Sequence, residues 1–204
     1  MENMARPAAD AQRKRALNDE ELRIVWHAAR EIGYPVGTAF QLLILTFARR
    51  TEIGALRWDE IDGTTDEIRL ESERTKNGEE HVIPLSKMAW DVLKTVPRLG
   101  TPHLFSPKGS MPTSGWARTK DKIDERLRAE LGNKFRPWRT NDLQRTGATG
   151  LEKLGVPLQV TEALLGHTAE SKAGIVGVYQ VHDFRPEKRE AAEKWARHVA
   201  RLVG

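Results

Sequence analysis

Apolar residues recur at helical spacing over most of the chain, and the first such run has four members: Leu22, Val25, Trp26 and Ala29. Asn18 stands before this run, and Glu21 lies three residues after Asn18, which is the spacing of a capping box. Gly33 is expected to end the helix, because glycine readily leaves the helical conformation. The pattern therefore predicts an amphipathic helix between Asn18 and Gly33.

The same periodicity predicts further helices, with boundaries set by the apolar runs and their flanking residues: 36–48, a short helix carrying Glu52, Ala55 and Leu56, then 86–96, 116–131, 143–154, 157–165 and 186–203. A different pattern lies between the short helix and residues 86–96. Residues 67–71 alternate polar and apolar side chains, and after the turn dipeptide Asn77-Gly78 residues 81–85 can return as the partner strand. We predict a small antiparallel hairpin in a fold of the α+β class that is mainly α-helical.

Composition limits the class of protein. A chain of 204 residues with 39% hydrophobic and 30% charged residues is long enough to bury one sizeable core. No stretch approaches the roughly 18 apolar residues of a membrane span, and the first residues lack the apolar region of a secretory signal. A soluble, cytoplasmic protein without a membrane partner is expected.

Cysteine is absent, which excludes disulfides, thiol nucleophiles and thiolate zinc sites. No cluster of metal-ligating residues takes their place, so no metal is expected. Lys and Arg number 33 against 29 Asp and Glu, a formal net charge of +4. This balance is compatible with a polyanionic partner but does not by itself establish one.

Single residues with the chemistry of a site also have ordinary interpretations. Arg49 and Arg50 fit a solvated helix end, and His167 fits the end of a helix. Lys76 fits a solvent-facing turn, and Tyr179 fits a half-buried aromatic position. The order of five segments favours a common function: LTFARRTEIGALRWDEID, ERTKNGEEHVIPLS, PWRTNDLQRTGATGLEKLGVP, EALLGHT and GIVGVYQVHD. In this order, from about Leu17 to Val199, they resemble the catalytic domain of tyrosine recombinases, the phage integrase family.

The resemblance implies a DNA strand-exchange enzyme with that catalytic-domain fold, including a hairpin or three-stranded sheet. It places a phosphate-binding arginine at Arg49, a general acid at Lys76 and the nucleophile at Tyr179. His167 is implied to bind the phosphate or assist the nucleophile, and Glu52 to support Arg49. Three further arginines are implied to contact DNA: Arg50, Arg139 and Arg145. Double-stranded DNA, a homo-oligomer on DNA and chemistry without a cofactor or metal are the corresponding expectations.

Three positions depart from the family pattern. Phe47 replaces a glycine before Arg49, and the box that supplies a histidine and a second arginine reads Asn141-Asp142-Leu143-Gln144. Asn141 can hydrogen-bond and cap a helix but cannot act as a base, and Gln144 is neutral. Arg145 is not expected to substitute for the lost arginine, because one residue along a helix turns a side chain by about 100 degrees. Impaired cleavage is therefore predicted.

The sequence leaves alternatives open. One is a catalytically decayed relative that binds DNA without cutting it; another is an unrelated helical DNA-binding regulator, which explains the basic charge but not the ordered segments. Residues 1–16 are predicted to be a basic tail or the remnant of a linker, and residues 17–204 the catalytic domain. The DNA-binding domains that usually precede it in the family are expected to be missing.

Overall fold

The computed structural model describes residues 15–107, 113–166 and 183–204. The α-helices of this part of the chain are α1 (Asp19–Ile32), α2 (Val36–Thr46), α3 (Arg50–Gly54), α4 (Lys87–Leu93), α5 (Trp116–Leu131), α6 (Asp142–Lys153), α7 (Leu158–Leu164) and α8 (Arg185–Val203). The strands are β1 (Ile61–Asp62), β2 (Glu67–Leu70) and β3 (His81–Pro84). None of the helices in these ranges has the length and apolar character needed to cross a membrane.

Helix α1 begins with the predicted capping box. The Asn18 side chain accepts a hydrogen bond of 2.9 Å from the Glu21 backbone N–H, and the Glu21 carboxylate accepts one of 3.0 Å from the Asn18 N–H. Both N–H groups would otherwise lack a partner in the first turn. Gly33 follows the helix with a φ of 69°, as predicted from its position.

Helix α2 is the centre of the core. All of its residues are buried, and it contacts α1, α3, α4, α5, α6 and α8. A helix that is apolar on every side is stable only when other elements surround it. The predicted single apolar face is therefore an underestimate of how completely the helix is enclosed.

The end of α2 differs from the prediction. The helix stops at Thr46 rather than near Ala48, because Phe47 adopts the left-handed conformation with φ 59° and ψ 7°. This backbone costs an L-residue about 1–2 kcal/mol. The Phe47 ring is fully buried and packs against Trp195 of α8 at a centroid distance of 5.9 Å. Burial of a phenylalanine side chain contributes about 1.5–3 kcal/mol, enough to offset the backbone cost.

The short helix that follows is also shifted. It spans Arg50–Gly54, so Glu52 lies within it while Ala55 and Leu56 lie beyond its end. Leu56 is nevertheless buried, and its carbonyl accepts from the Leu104 N–H at 2.9 Å. The apolar spacing that predicted a longer helix therefore reflects burial of the connection.

The strands form a three-stranded antiparallel sheet in the order β1-β2-β3, with Ile68 opposite Ile83 and Leu70 opposite His81. This confirms the expected fold class. The connection between β2 and β3 is not the tight turn that Asn77-Gly78 suggested. It runs over residues 71–80, contains a 3₁₀ turn at Ser72–Arg74, and has Gly78 at a φ of 70°.

Helix α8 packs on the chain that carries it. It contacts α1, α2, α4, α6, α7 and β3, and Trp195 donates a hydrogen bond of 2.7 Å to the Ile44 carbonyl. The last helix of the described chain is thus part of the core around α2. Helix α5 matches its predicted bounds, and α6, α7 and α8 each lie within one residue of theirs.

Candidate functional site

Arg49 stands at the junction of α2 and α3, where one carboxylate holds both its main chain and its side chain. The Arg49 backbone N–H donates to Glu52 Oε2 at 2.7 Å, and its Nη1 donates to Glu52 Oε1 at 2.7 Å. The Glu52 side chain is 2% exposed and that of Arg49 is 19% exposed. Glu52 therefore fixes one edge of a guanidinium that still reaches solvent.

Three distant segments meet at the carbonyl oxygen of Gly166. Arg49 Nη2 donates to it at 3.3 Å, and Asn77 Nδ2 donates at 3.4 Å. Gly166 directly precedes His167, and Asn77 directly follows Lys76. The structure thus brings the Arg49 turn, the hairpin tip and the end of α7 to one place.

Arg74 holds the hairpin connection against α3. Its Nη2 donates to the carbonyls of Glu52 at 3.3 Å and Ala55 at 3.0 Å, and its Nε pairs with Glu60 at 2.6 Å. Carbonyls at the end of a short helix have no partner within it. Arg74 supplies that partner and fastens the segment that carries Lys76.

Gln144 lies beside the same turn. Its Nε2 donates a hydrogen bond of 2.7 Å to the carbonyl of Phe47, two residues before Arg49. The position that the family resemblance assigns to a second arginine is therefore next to the Arg49 turn, but the side chain there is a neutral amide bonded to the backbone.

Asn141 is able to cap a helix through its side chain, but it does not do so at the start of α6. Asn141 occupies the N-cap position in a helical conformation and makes no side-chain cap hydrogen bond. The Asp142 carboxylate instead accepts from the Arg139 N–H at 2.8 Å and from Arg145 Nη1 at 3.0 Å. An acid in the first turn serves there because it also complements the positive end of the helix dipole.

His81 is buried beside the meeting point at Gly166. Its Nε2 lies 3.1 Å from the Leu164 carbonyl at the end of α7, and the residue is 6% exposed. Burial lowers the pKa of His81 to about 4; Glu52 opposes this change, and Lys188 and Arg49 add to it. The imidazole is therefore neutral at physiological pH.

Lys188 is buried next to the same strand. Its Nζ donates to the Val82 carbonyl at 3.0 Å, which ties the start of α8 to β3. Burial lowers the pKa of Lys188, while Asp183 raises it. Strand β3 is thus bonded to α8 through Val82 and to α7 through His81.

The other predicted site residues divide into two groups. Lys76, Arg50, Arg139 and Arg145 are exposed, and the Arg145 side chain is directed to Asp142. His167 and Tyr179 lie outside the described residues. Within residues 15–107, 113–166 and 183–204, no three His, Asp or Glu side chains are grouped as metal ligands.

Sequence reasoning missed Gly166, Arg74 and His81. Gly166 carried a local signal, since a glycine after a helical run is a common helix end. Arg74 and His81 act through contacts with residues 14 to 83 positions away, which no local pattern reveals.

Comparisons with known proteins identify the family. The profile of the phage integrase family matches residues 15–184. The chain is 26% identical over 185 residues to the prophage integrase IntA of Escherichia coli (strain K12), covering 89% of this chain and 43% of that protein. The chain thus spans less than half the length of this relative.

Solved structures share the fold. The XerH site-specific recombinase bound to its difH substrate matches with a TM-score of 0.58 and 17% identity, over 78% of this chain and 48% of that one. The integrase from mycobacterium phage Brujita matches with a TM-score of 0.58 and 14% identity, over 98% of this chain and 67% of that one. Together with the family profile, they show that this chain belongs to the phage integrase family and has the fold of the tyrosine recombinase catalytic domain.

Proposed function

We propose that the chain is the catalytic domain of a site-specific DNA recombinase that cleaves and rejoins strands through a 3'-phosphotyrosyl intermediate on Tyr179. One observation carries the proposal most directly. The Arg49 guanidinium is oriented by a buried carboxylate and lies within hydrogen-bond distance of the residue that precedes His167. Such an arrangement suits a phosphate whose charge grows during reaction.

In the proposed step, the Tyr179 hydroxyl gives its proton to solvent water, and its oxygen forms a bond to the scissile phosphorus. The bond from phosphorus to the 5'-oxygen breaks, and Lys76 gives that oxygen a proton. Arg49, with its planar fork of donors, binds the nonbridging oxygens, and His167 hydrogen-bonds the same phosphate. The phosphotyrosyl link preserves the bond energy, so a 5'-hydroxyl can reverse the step without ATP.

Double-stranded DNA is the proposed partner, and a homo-oligomer on DNA is the proposed assembly. The exposed arginines Arg50, Arg139 and Arg145 offer donors for backbone phosphates, which contribute affinity but little sequence information. The structure of XerH is that of a recombinase bound to its DNA substrate, which supports this choice.

We further propose that cleavage is slow in this chain. Gln144 brings no positive charge to the position beside the Arg49 turn, and its amide is already bonded to Phe47. Loss of one transition-state donor typically costs about 10²- to 10³-fold in rate. Asn141 in place of a histidine removes a possible proton acceptor as well.

A nicked suicide DNA substrate tests the proposal, because loss of the short product traps the covalent intermediate. The full chain is expected to form a protein–DNA adduct that survives denaturation and is absent in Tyr179→Phe. Arg49→Ala should reduce the adduct strongly, while Arg126→Ala on the exposed face of α5 serves as the matched control. Absence of any adduct from the parent over long incubation contradicts the proposed activity.

The second candidate function is DNA binding by a catalytically decayed relative. The engagement of Gln144 with the backbone favours it, since the side chain is used in the fold rather than left for a phosphate. If this candidate is correct, the unmodified chain binds DNA with an affinity that falls as the salt concentration rises, and it forms no covalent adduct. Adduct formation by the parent excludes it.

A further inference from the structure

We propose that His81 is a positioning residue of the strand-cleavage site, holding the end of α7 so that the Gly166 carbonyl lies within reach of Arg49 and Asn77. The inference rests on the proposed function, because it assigns a role in the same site. His81 is remote in sequence from Leu164 and Gly166, the residues that it would position.

The hydrogen bond of His81 assigns its tautomer. A backbone carbonyl only accepts, so Nε2, which lies 3.1 Å from the Leu164 carbonyl, must carry the proton. Nδ1 then presents a lone pair, and it has no hydrogen-bond partner among the described residues. A neutral ring with one donor is therefore the state that this pocket accommodates.

The same ring packs against Gly166. A Cβ placed on Gly166 would lie 2.8 Å from both Cε1 and Nδ1 of His81, closer than real Cβ contacts. Gly166 has a φ of 60°, which also favours glycine. His81 thus bonds to the carbonyl of Leu164 and limits the position of Gly166, the residue whose carbonyl Arg49 and Asn77 share.

The arrangement of charged side chains around His81 depends on the imidazole ring being neutral. Besides burial, which lowers the pKa of His81, the charge of Glu52 raises it and the charges of Lys188 and Arg49 lower it further. A protonated imidazole would present a second N–H, for which the described residues offer no acceptor. Its positive charge would also compete with Arg49 for the Glu52 carboxylate. The fold therefore needs a residue here that donates once and carries no charge.

Strand β3, which carries His81, links several elements of the site, so His81 affects the position of the site residues and not only the packing of the core. Strand β3 follows the connection that carries Lys76. The carbonyl of Val82, the residue after His81, accepts the hydrogen bond from Lys188 of α8. One strand thereby relates the hairpin to α7 and α8. A displacement of about 1 Å at a reacting group can cost about 10²-fold in rate.

Two substitutions and one control test the inference on the full chain. His81→Gln keeps a side-chain N–H donor for the Leu164 carbonyl, and His81→Leu fills the pocket without any donor. Leu127→Ala, a buried position on α5, controls for loss of stability alone. Single-turnover adduct formation on the suicide substrate and the DNA dissociation constant are measured for each chain that retains its circular dichroism spectrum.

His81→Leu is expected to form adduct about 10²-fold more slowly at unchanged DNA affinity, while His81→Gln recovers most of the rate and Leu127→Ala keeps it. Equal rates in the parent and His81→Leu overturn the inference, as does a Leu127→Ala chain that is slowed as much as His81→Leu.

NMR signals of the His81 imidazole and the Arg49 guanidinium test this inference separately from the proposed function, because they can be measured without DNA. The ¹⁵N shifts of His81 should report the neutral Nε2–H tautomer at pH 7, and His81→Leu should shift the Arg49 guanidinium and Gly166 carbonyl signals. If the parent forms no adduct, the proposed function fails and these signals decide the inference alone. An Nδ1–H tautomer, or unmoved Arg49 and Gly166 signals, overturns it.

Discussion

The side-chain amide of Gln144 donates a hydrogen bond of 2.7 Å to the carbonyl oxygen of Phe47. Phe47 ends α2 in a left-handed conformation, and its carbonyl has left the helical ladder. The bond therefore stabilises the turn that presents Arg49. A position that the family resemblance associates with phosphate chemistry has a structural role in this chain.

Gln144→Arg combined with Asn141→His is expected to raise the rate of adduct formation by about 10²- to 10³-fold, because a charged donor returns beside Arg49. DNA affinity should change little. Adduct formation on the suicide substrate and a binding titration at fixed salt measure both quantities.

Gln159→Arg is the matched control for this gain, since it adds the same charge at an exposed position of α7. It should leave the cleavage rate unchanged. A double variant no faster than the parent would show that Asn141 and Gln144 are not the cause of slow cleavage.

Glu52→Gln is expected to lower the free energy of unfolding by roughly 3 kcal/mol, because it leaves the Arg49 charge without its buried partner. Urea unfolding measures the change. The same substitution at Glu130, whose exposed pair with Arg126 is 2.6 Å long, should cost less than about 1 kcal/mol. Similar losses at the two positions would contradict the buried role of Glu52.

Stability should depend on pH through His81. Its pKa is about 4 in the fold, against an ordinary value near 6.5. The unfolded chain therefore binds more protons between these pH values, and the free energy of unfolding falls as pH drops through this window, by up to about 3 kcal/mol. Above pH 6.5 the contribution of His81 is complete.

Urea titrations of the parent and His81→Gln at several pH values isolate this effect. The difference in their pH dependence removes the contribution of carboxylates, which both chains share. Parallel curves between pH 4 and 6.5 would show that His81 is not buried in its neutral form.

Gly147→Ala is expected to destabilise the fold by about 1–3 kcal/mol, because its Cβ would overlap the Phe47 ring. The gain in helix propensity is at most about 1 kcal/mol and does not compensate. Thermal unfolding measures the loss. Gly63→Ala should be tolerated, since its nearest side-chain atom lies at an ordinary 3.8 Å.

A double-mutant cycle with Phe47→Leu identifies the cause of that loss. If the Phe47 ring is responsible, Gly147→Ala should cost less in the Phe47→Leu background, with a coupling of about 0.5–3 kcal/mol. Additive losses would indicate that another contact of Gly147 is responsible.

Local chemistry made much of the fold predictable from the sequence. The capping box of Asn18 and Glu21 determined where α1 begins, and glycines flank both ends of α5, Gly115 before it and Gly132 after it. Phe47 was not predictable in the same way, because its left-handed conformation is accommodated by contacts with Trp195, Gly147 and Gln144, far along the chain. Propensity favours continuing the helix there, and tertiary packing overrides it.

The candidate site was predictable in its residue types but not in its connections. Arg49 and Glu52 are three residues apart, so their pairing follows from the start of one helix. The contacts of Gly166, Arg74 and His81 join segments whose separation in sequence hides them. His167 and Tyr179 remain predictions of the family resemblance.

The fit between Phe47 and Gly147 also constrains the order in which these residues could have been acquired. A phenylalanine that arrives at position 47 while position 147 bears a methyl group meets a steric overlap, whereas a glycine at 147 opens the space first. Phe47 therefore depends on glycine at position 147, since any larger residue there would have to displace the ring or the helix that carries that residue.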